Sequence, residues 1–279
     1  MTAIYWIDAF ADGPFTGNPA AVCLLDGPAP EAWMRAVAFE MGISETAFVH
    51  PQGDAYGLRW FTPEAEVRLC GHATLATCAA LLDSGRATNQ QPLRFMTLSG
   101  ELRAWRRNDN GLIELDFPQK AAEEAPAPDG LLKALGLRTA AAIAWADEDW
   151  LVECEDEAEI KALRPDFAAL KSIGGRGVMV TARAEDQGAD FVSRFFGPAV
   201  GIDEDPVTGS AHCVLGPYWG GRLGSTELIG RQLSQRGGTV HVSLKNGRAF
   251  LAGEARIVIK GQMGPDLGGE SPPSSLKSA

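Results

Sequence analysis

Three places in the chain carry side chains suited to proton chemistry on a small anion. His72 stands in Cys70-Gly71-His72-Ala73-Thr74, and Asp205 and Ser210 stand in Asp205-Pro206-Val207-Thr208-Gly209-Ser210-Ala211. In each stretch a polar side chain follows a glycine that opens an apolar, helix-like run. A helix start leaves its first N–H groups unpaired and carries the positive end of the dipole, so it suits a carboxylate. Gly71 and Gly209 let backbone approach such a ligand closely. Histidine adds a group whose charge is tunable near neutral pH. The third place is Glu45, just before the β-type run Thr46-Ala47-Phe48-Val49. A carboxylate there is either a solvated strand end or, in a closed cleft, an acid with a raised pKa that can move a proton at carbon.

The elements around these residues follow one plan twice. Tyr56-Gly57-Leu58-Arg59-Trp60-Phe61 leads to Gly71 and an apolar helix over 71–84. Phe191-Val192-Ser193-Arg194-Phe195-Phe196 leads to Gly209 and a second apolar helix over 209–219. Each helix is followed by a Leu-Ser pair, Leu98-Ser99 and Leu233-Ser234, and then by a strand, Asn-Gly, strand hairpin. Helices that are apolar all round are expected to be buried. Two like domains related by an approximate twofold would set their equivalent loops on either side of a cleft, a favoured ligand position. Taken singly, each glycine reads as a tight turn before a core helix; it is the pairing that favours a ligand site. Outside the repeat, Pro30-Glu31-Ala32 opens a helix that Gly42 stops, and 119–128 reads as a connection between domains.

Composition narrows the classes. The chain has 279 residues, 45% hydrophobic and 22% charged, with a formal net charge of -11. That is globular composition with length for two modest domains. No basic stripe is present, so nucleic acid and anionic membrane are excluded as partners. The first residues predict no secretory signal, and no apolar run is long enough to span a bilayer. The five cysteines are scattered without a CxxC pair, which fits a reducing cytoplasm rather than a disulfide framework. The four histidines lack metal-ligand spacing, so no metal is expected. Gly174-Gly175-Arg176-Gly177 looks like a phosphate loop but precedes a strand, and is discounted. Asp203 and Glu204 read as solvated acids. Cys70 stays open between a thiol of lowered pKa at a helix start and a small packing residue.

Four segments in this order resemble the PhzF-like isomerase family, within the wider diaminopimelate epimerase fold. They are Phe15-Thr16-Gly17-Asn18-Pro19, Ser44-Glu45-Thr46-Ala47-Phe48-Val49, Cys70 to Thr74, and Gly201 to Ala211. The resemblance implies a mixed α+β fold of two pseudo-symmetric domains, each with strands wrapped around a central helix. With the repeat it places the halves at 1–118 and 119–261, leaving 262–279 as a flexible tail. It implies a cofactor-independent isomerase, commonly a homodimer, acting on a small cyclic or amino-acid-like carboxylate. It makes Glu45 the main acid/base, with Asp205 and His72 taking part in proton movement. Gly71, Gly209, Ser210 and Asn18 would bind substrate. The member for which the family is named isomerises trans-2,3-dihydro-3-hydroxyanthranilate. Epimerase cousins use a cysteine before each glycine; here those places hold Cys70 and Thr208, so a two-thiol racemase is incomplete. An amino-acid epimerase and a non-catalytic binding or scaffold protein remain the alternatives.

Overall fold

In a computed structural model, residues 1–264 and 267 are described. The chain runs β1 (Ala3–Ala9), β2 (Asn18–Leu24), α1 (Glu31–Met41), β3 (Glu45–Gln52), β4 (Ala55–Phe61), β5 (Glu66–Val67), α2 (Gly71–Asp83), β6 (Leu93–Thr97), β7 (Gly100–Arg106) and β8 (Ile113–Pro118). It continues with β9 (Glu123–Glu124), α3 (Leu131–Leu135), β10 (Ala142–Ala146), β11 (Asp149–Glu153), α4 (Glu157–Ala162), α5 (Phe167–Leu170), β12 (Gly177–Arg183) and β13 (Phe191–Gly197). A single 3-10 turn at Pro198–Val200 leads to β14 (Ile202–Asp205), α6 (Gly209–Leu223), β15 (Glu227–Gln232), β16 (Gly238–Lys245), β17 (Arg248–Gly253) and β18 (Ala255–Gln262). No helix among the described residues is long and apolar enough to cross a membrane.

Two compact units result, but they are not the contiguous halves 1–118 and 119–261. The first takes Met1–Ala9, Pro19–Leu115 and the chain from Glu254; the second takes Phe10–Asn18 and Asp116–Gly253. Strand pairing is the physical reason. The strand after Asn246-Gly247 stops at Gly253, and the next strand, β18, pairs antiparallel with β1 from Ala3↔Gln262 to Ala9↔Ala255. The segment before Pro19 is tied to the second unit: Gly17 donates to Gly237 O at 2.7 Å, Thr239 donates to Phe10 O at 3.1 Å, and Arg236 donates to Gly17 O at 2.8 Å. The tail expected at 262–279 lies mostly outside the described residues. Its first part is ordered, since Met263 donates its N–H to Thr2 O at 2.9 Å and packs against the cluster around Trp33 and Phe48.

In each unit one strand-pairing scheme recurs. In the first, β2 runs parallel to β3, β3 antiparallel to β4, β4 antiparallel to β5 and parallel to β6, and β6 antiparallel to β7. In the second, β11, β12, β13, β14, β15 and β16 repeat that series with the same senses. The repeated Arg-aromatic-Phe triplet has a structural task. Arg59 lies 5.0 Å from the Phe61 ring and pairs with Glu66, while Arg194 lies 4.9 Å from the Phe196 ring and pairs with Glu204. Glu204 is therefore a structural ion-pair partner rather than a solvated acid.

The two central helices explain their own composition. In α2 every residue from His72 to Leu81 is buried, so an amphipathic pattern would be out of place. In α6 a side chain at Gly216 would meet Val242 at 2.7 Å, so strand and helix approach there only because the residue is glycine. Pro217 sits inside α6 and cannot donate to the carbonyl one turn back. That carbonyl, Cys213 O, instead accepts from the backbone N–H of Lys120 at 3.0 Å. The predicted stops hold: Gly42 closes α1 in the left-handed region at φ 61, and Asn246-Gly247 forms the β16–β17 turn with φ 52 and 72. The connection at 119–128 contains a strand, β9, which pairs with β10 through Glu124↔Ala144 and Glu123↔Trp145.

Candidate active site

The first unit gathers Glu45, Cys70 and His72. Glu45 opens β3, opposite Ala20 of the parallel strand β2. His72 follows Gly71 in the first turn of α2, whose cap residue Cys70 is extended. Two hydroxyls fix that entry: Thr74 Oγ1 donates to Cys70 O at 2.6 Å, and Ser99 Oγ donates to Arg68 O at 2.7 Å. As a result Glu45 Oε2 lies 3.3 Å from His72 Nε2, with side chains only 12% and 7% exposed. Oε2 is buried and off the line a hydrogen bond to the ring needs. Burial disfavours the carboxylate and pushes the Glu45 pKa up to about 7, with the neighbouring Ser44 hydroxyl pulling the other way. Cys70 Sγ lies 3.5 Å from His72 Nδ1. A carboxylate oxygen, a thiol and a ring nitrogen thus sit within 4.8 Å of one another, the one donor set of this kind among the described residues.

The second unit builds its helix entry on the same plan with other groups. Thr208 caps α6, and His212 donates from Nδ1 to Thr208 O at 2.9 Å, as Thr74 does to Cys70 O. Ser234 Oγ donates to Pro206 O at 2.8 Å, as Ser99 does to Arg68 O. Both repeated Leu-Ser pairs therefore hold the chain two residues before a helix cap. Asp205, at the end of β14, is buried and accepts from Asn18 Nδ2 at 2.8 Å on Oδ1 and from the Thr208 hydroxyl on Oδ2. Gln232 completes the lock: its amide donates to Asp205 O at 2.7 Å and its carbonyl accepts from Thr208 N at 2.9 Å. Ser210, the counterpart of His72, accepts at Oγ from Arg176 Nη2 at 3.0 Å. Arg176 is in turn held by both oxygens of buried Asp149. Burial raises the Asp149 pKa and Arg176 opposes that shift.

The sequence-derived residues therefore fall into two groups: Glu45, Gly71 and His72 in the first unit, and Asn18, Asp205, Gly209 and Ser210 in the second. Asn18 is also a structural partner of Asp205 within the second unit. It is fully buried, and its amide is spent on Asp205 and, at 2.9 Å, on Val207 O. Sequence reasoning missed Asp149, Arg176 and Gln232. The glycines around Arg176 were the available signal, since a side chain at Gly175 would meet Glu148 O at 2.9 Å and one at Gly177 would meet Phe195 at 2.5 Å.

Comparison with known proteins agrees with this construction. Residues 7–262 match the family model described as phenazine biosynthesis-like protein, PhzC-PhzF. An uncharacterized isomerase of Pseudomonas aeruginosa is 49% identical over 261 residues, spanning 93% of this chain and 98% of that one. The crystal structure of a PhzF-family phenazine biosynthesis protein from Enterococcus faecalis is 42% identical with a TM-score of 0.87, covering 93% of this chain and 98% of that one. A probable proline racemase from Agrobacterium radiobacter, 13% identical with a TM-score of 0.62 over 95% of this chain and 94% of its own, shares the mixed α+β fold. With a family model spanning nearly all of its length and a duplicated strand scheme around two buried helices, the chain belongs to the phenazine biosynthesis-like, PhzC-PhzF, family.

Proposed function

We propose that this protein is a cofactor-independent isomerase that moves a proton on a small cyclic or amino-acid-like carboxylate, with Glu45 as the acid/base. The observation that carries the reading is the buried Glu45 carboxyl, brought to a pKa of about 7 and set against His72 Nε2 at 3.3 Å. A base must be partly ionised to take a proton and partly protonated to return one, and a pKa near neutrality provides both. Glu45 takes a proton from a substrate carbon, and the electron pair left behind spreads into the substrate's adjoining π system. The protonated carboxyl, whose proton exchanges with solvent, then delivers a proton to another carbon. Atoms and electrons balance within the substrate and Glu45. His72 hydrogen-bonds the substrate. Gly71 at the start of α2 is a substrate-binding position of the first unit, and Gly209 and Ser210 at the start of α6 are substrate-binding positions of the second. Asp205 is the second carboxylate of the reaction, oriented by Asn18 and Thr208. The same reading carries a cytoplasmic setting and a homodimer, the latter testable by sedimentation.

The test is turnover of trans-2,3-dihydro-3-hydroxyanthranilate and of small cyclic carboxylates in deuterated water. Glu45→Gln should keep its near-UV circular dichroism and lose both product and deuterium incorporation. Retained turnover in that variant defeats the reading. The contact between Cys70 Sγ and His72 Nδ1 favours an amino-acid epimerase as the second reading. That enzyme would invert a stereocentre with solvent deuterium, and Cys70→Ser would abolish the inversion.

A further inference from the structure

The geometry points to Arg176 as the anion anchor of the second unit, forming with Ser210 a two-donor fork for one substrate carboxylate. The inference rests on the proposed function in one respect, that the substrate is a carboxylate. It assigns the anion to a residue outside the family segments and to a glycine-rich stretch that precedes a strand.

Register within the repeat locates the residue. Thr46 faces Phe61 across β3–β4, and Val178 faces Phe196 across β12–β13. Glu45 is therefore the counterpart of Gly177, and Arg176 stands one residue before that place. Ala20 pairs with Glu45, and its counterpart Asp149 pairs with Gly177. The corner that holds an acid beside a helix start in the first unit holds a cation beside one in the second.

Planar geometry then determines which donors remain. Arg176 uses Nε and one proton of Nη2 on the two oxygens of Asp149. The other Nη2 proton lies on the edge shared with Nη1, and it is this edge that meets Ser210 Oγ. The Nη1 protons make no hydrogen bond among the described residues. Guanidinium cannot accept, so Ser210 Oγ is the acceptor in that pair, and its own proton is left to donate elsewhere. Nη1–H and Ser210 O–H are thus neighbouring donors on one edge, the arrangement a carboxylate takes in bidentate fashion. Asp149, with a side chain 5% exposed, orients the guanidinium, while Arg176 keeps 32% of its side chain accessible. The ring of Phe195, 5.3 Å from Arg176 Cζ, and the backbone bond from Arg176 N to Glu148 O at 2.6 Å hold the residue in place.

The test measures binding of anthranilate and of its neutral isostere anthranilamide by calorimetry. The wild type should prefer the carboxylate by about tenfold or more, the value of one charge-assisted fork. Arg176→Lys should keep part of that preference, and Ser210→Ala and Arg176→Gln should lose it with anthranilamide binding unchanged. Because Arg176→Gln strands the buried Asp149, the double variant Asp149→Asn/Arg176→Gln serves where the single one does not fold. Glu45→Gln should keep the preference, which separates the anchor from the acid/base. Equal binding of the two probes by the wild type overturns the assignment, as does a preference that survives in Asp149→Asn/Arg176→Gln. If Glu45→Gln alone abolishes turnover while those results fail, the proposed reaction stands and only the anchor falls.

Discussion

The entries to α2 and α6 are one scaffold with two chemistries. Both are held by a serine from a Leu-Ser pair, and in both the side chain at the fourth helical position bonds the cap carbonyl. Both lie beyond a strand whose arginine packs on a phenylalanine and pairs with a glutamate. On this frame the first unit sets a buried acid against an imidazole, and the second sets a cation against a hydroxyl. A duplicated framework keeps the backbone positions while the few side chains at the helix starts diverge. The function proposed above gives proton movement mainly to the first copy and the holding of charge mainly to the second.

The largest effect expected is that of Glu45→Gln, which should lower kcat by about a thousandfold, the usual worth of an acid/base group, without moving carboxylate affinity. Arg176→Gln should do the opposite, raising KM more than it lowers kcat; equal effects on kcat from both variants would break the division of labour. Next in size, Arg194→Ala should cost about 3 kcal/mol in denaturant unfolding, because Glu204 is left in a largely enclosed pair. Arg59→Ala, whose side chain is 33% exposed against 11% for Arg194, should cost about 1 kcal/mol. Equal losses would show that the two modules are energetically alike despite that difference.

His212 supplies a pH test of the same comparison. It is fully buried and burial lowers its pKa from 6.5 to about 4, whereas its counterpart Thr74 does not titrate. Between those values the unfolded chain binds the proton and the folded one does not. Stability from neutral His212 is therefore complete above pH 6.5 and falls by about 3 kcal/mol as pH drops toward 4. His212→Thr should be less stable at neutral pH but should lack that slope. A persistent slope of the same size would place the acid sensitivity elsewhere. The smallest effects expected are from Ser99→Ala, about 1 kcal/mol, and Ser234→Ala, somewhat more, since both hydroxyls donate to a carbonyl at 2.7 and 2.8 Å but Ser234 Oγ also accepts from Gly237 N at 3.0 Å.

Much of this was legible in the sequence because the signals were local. Gly42 and Asn246-Gly247 require backbone that few other residues adopt, and the structure has them there. The all-apolar character of α2 and α6 announced buried helices, and the ordered motifs announced the repeat. Arg176 was missed for a physical reason. A glycine-rich stretch before a strand says that backbone must pack closely, but not which side chain the packing aims or where. Glu204 was misread because one acid in a run looks like another until Arg194 is known to lie beside it.

By itself the sequence determined the helices α1, α2 and α6 and the hairpin turn, since each rests on composition or spacing within a short window; the family and Glu45 as candidate acid/base came from the ordered resemblance of four segments. Tertiary structure alone decided that β18 pairs with β1 while residues 10–18 join the second unit, because strand partners distant in sequence leave no local trace. It also decided that Glu45 meets His72 and that Arg176 meets Ser210. The two helix starts, already unlike in sequence at Cys70 and Thr208, differ further in the partners that the structure gives His72 and Ser210. Burial brings the Glu45 pKa to about 7 because β3 begins beside α2, and Arg176 meets Ser210 because Asp149 holds it beside α6.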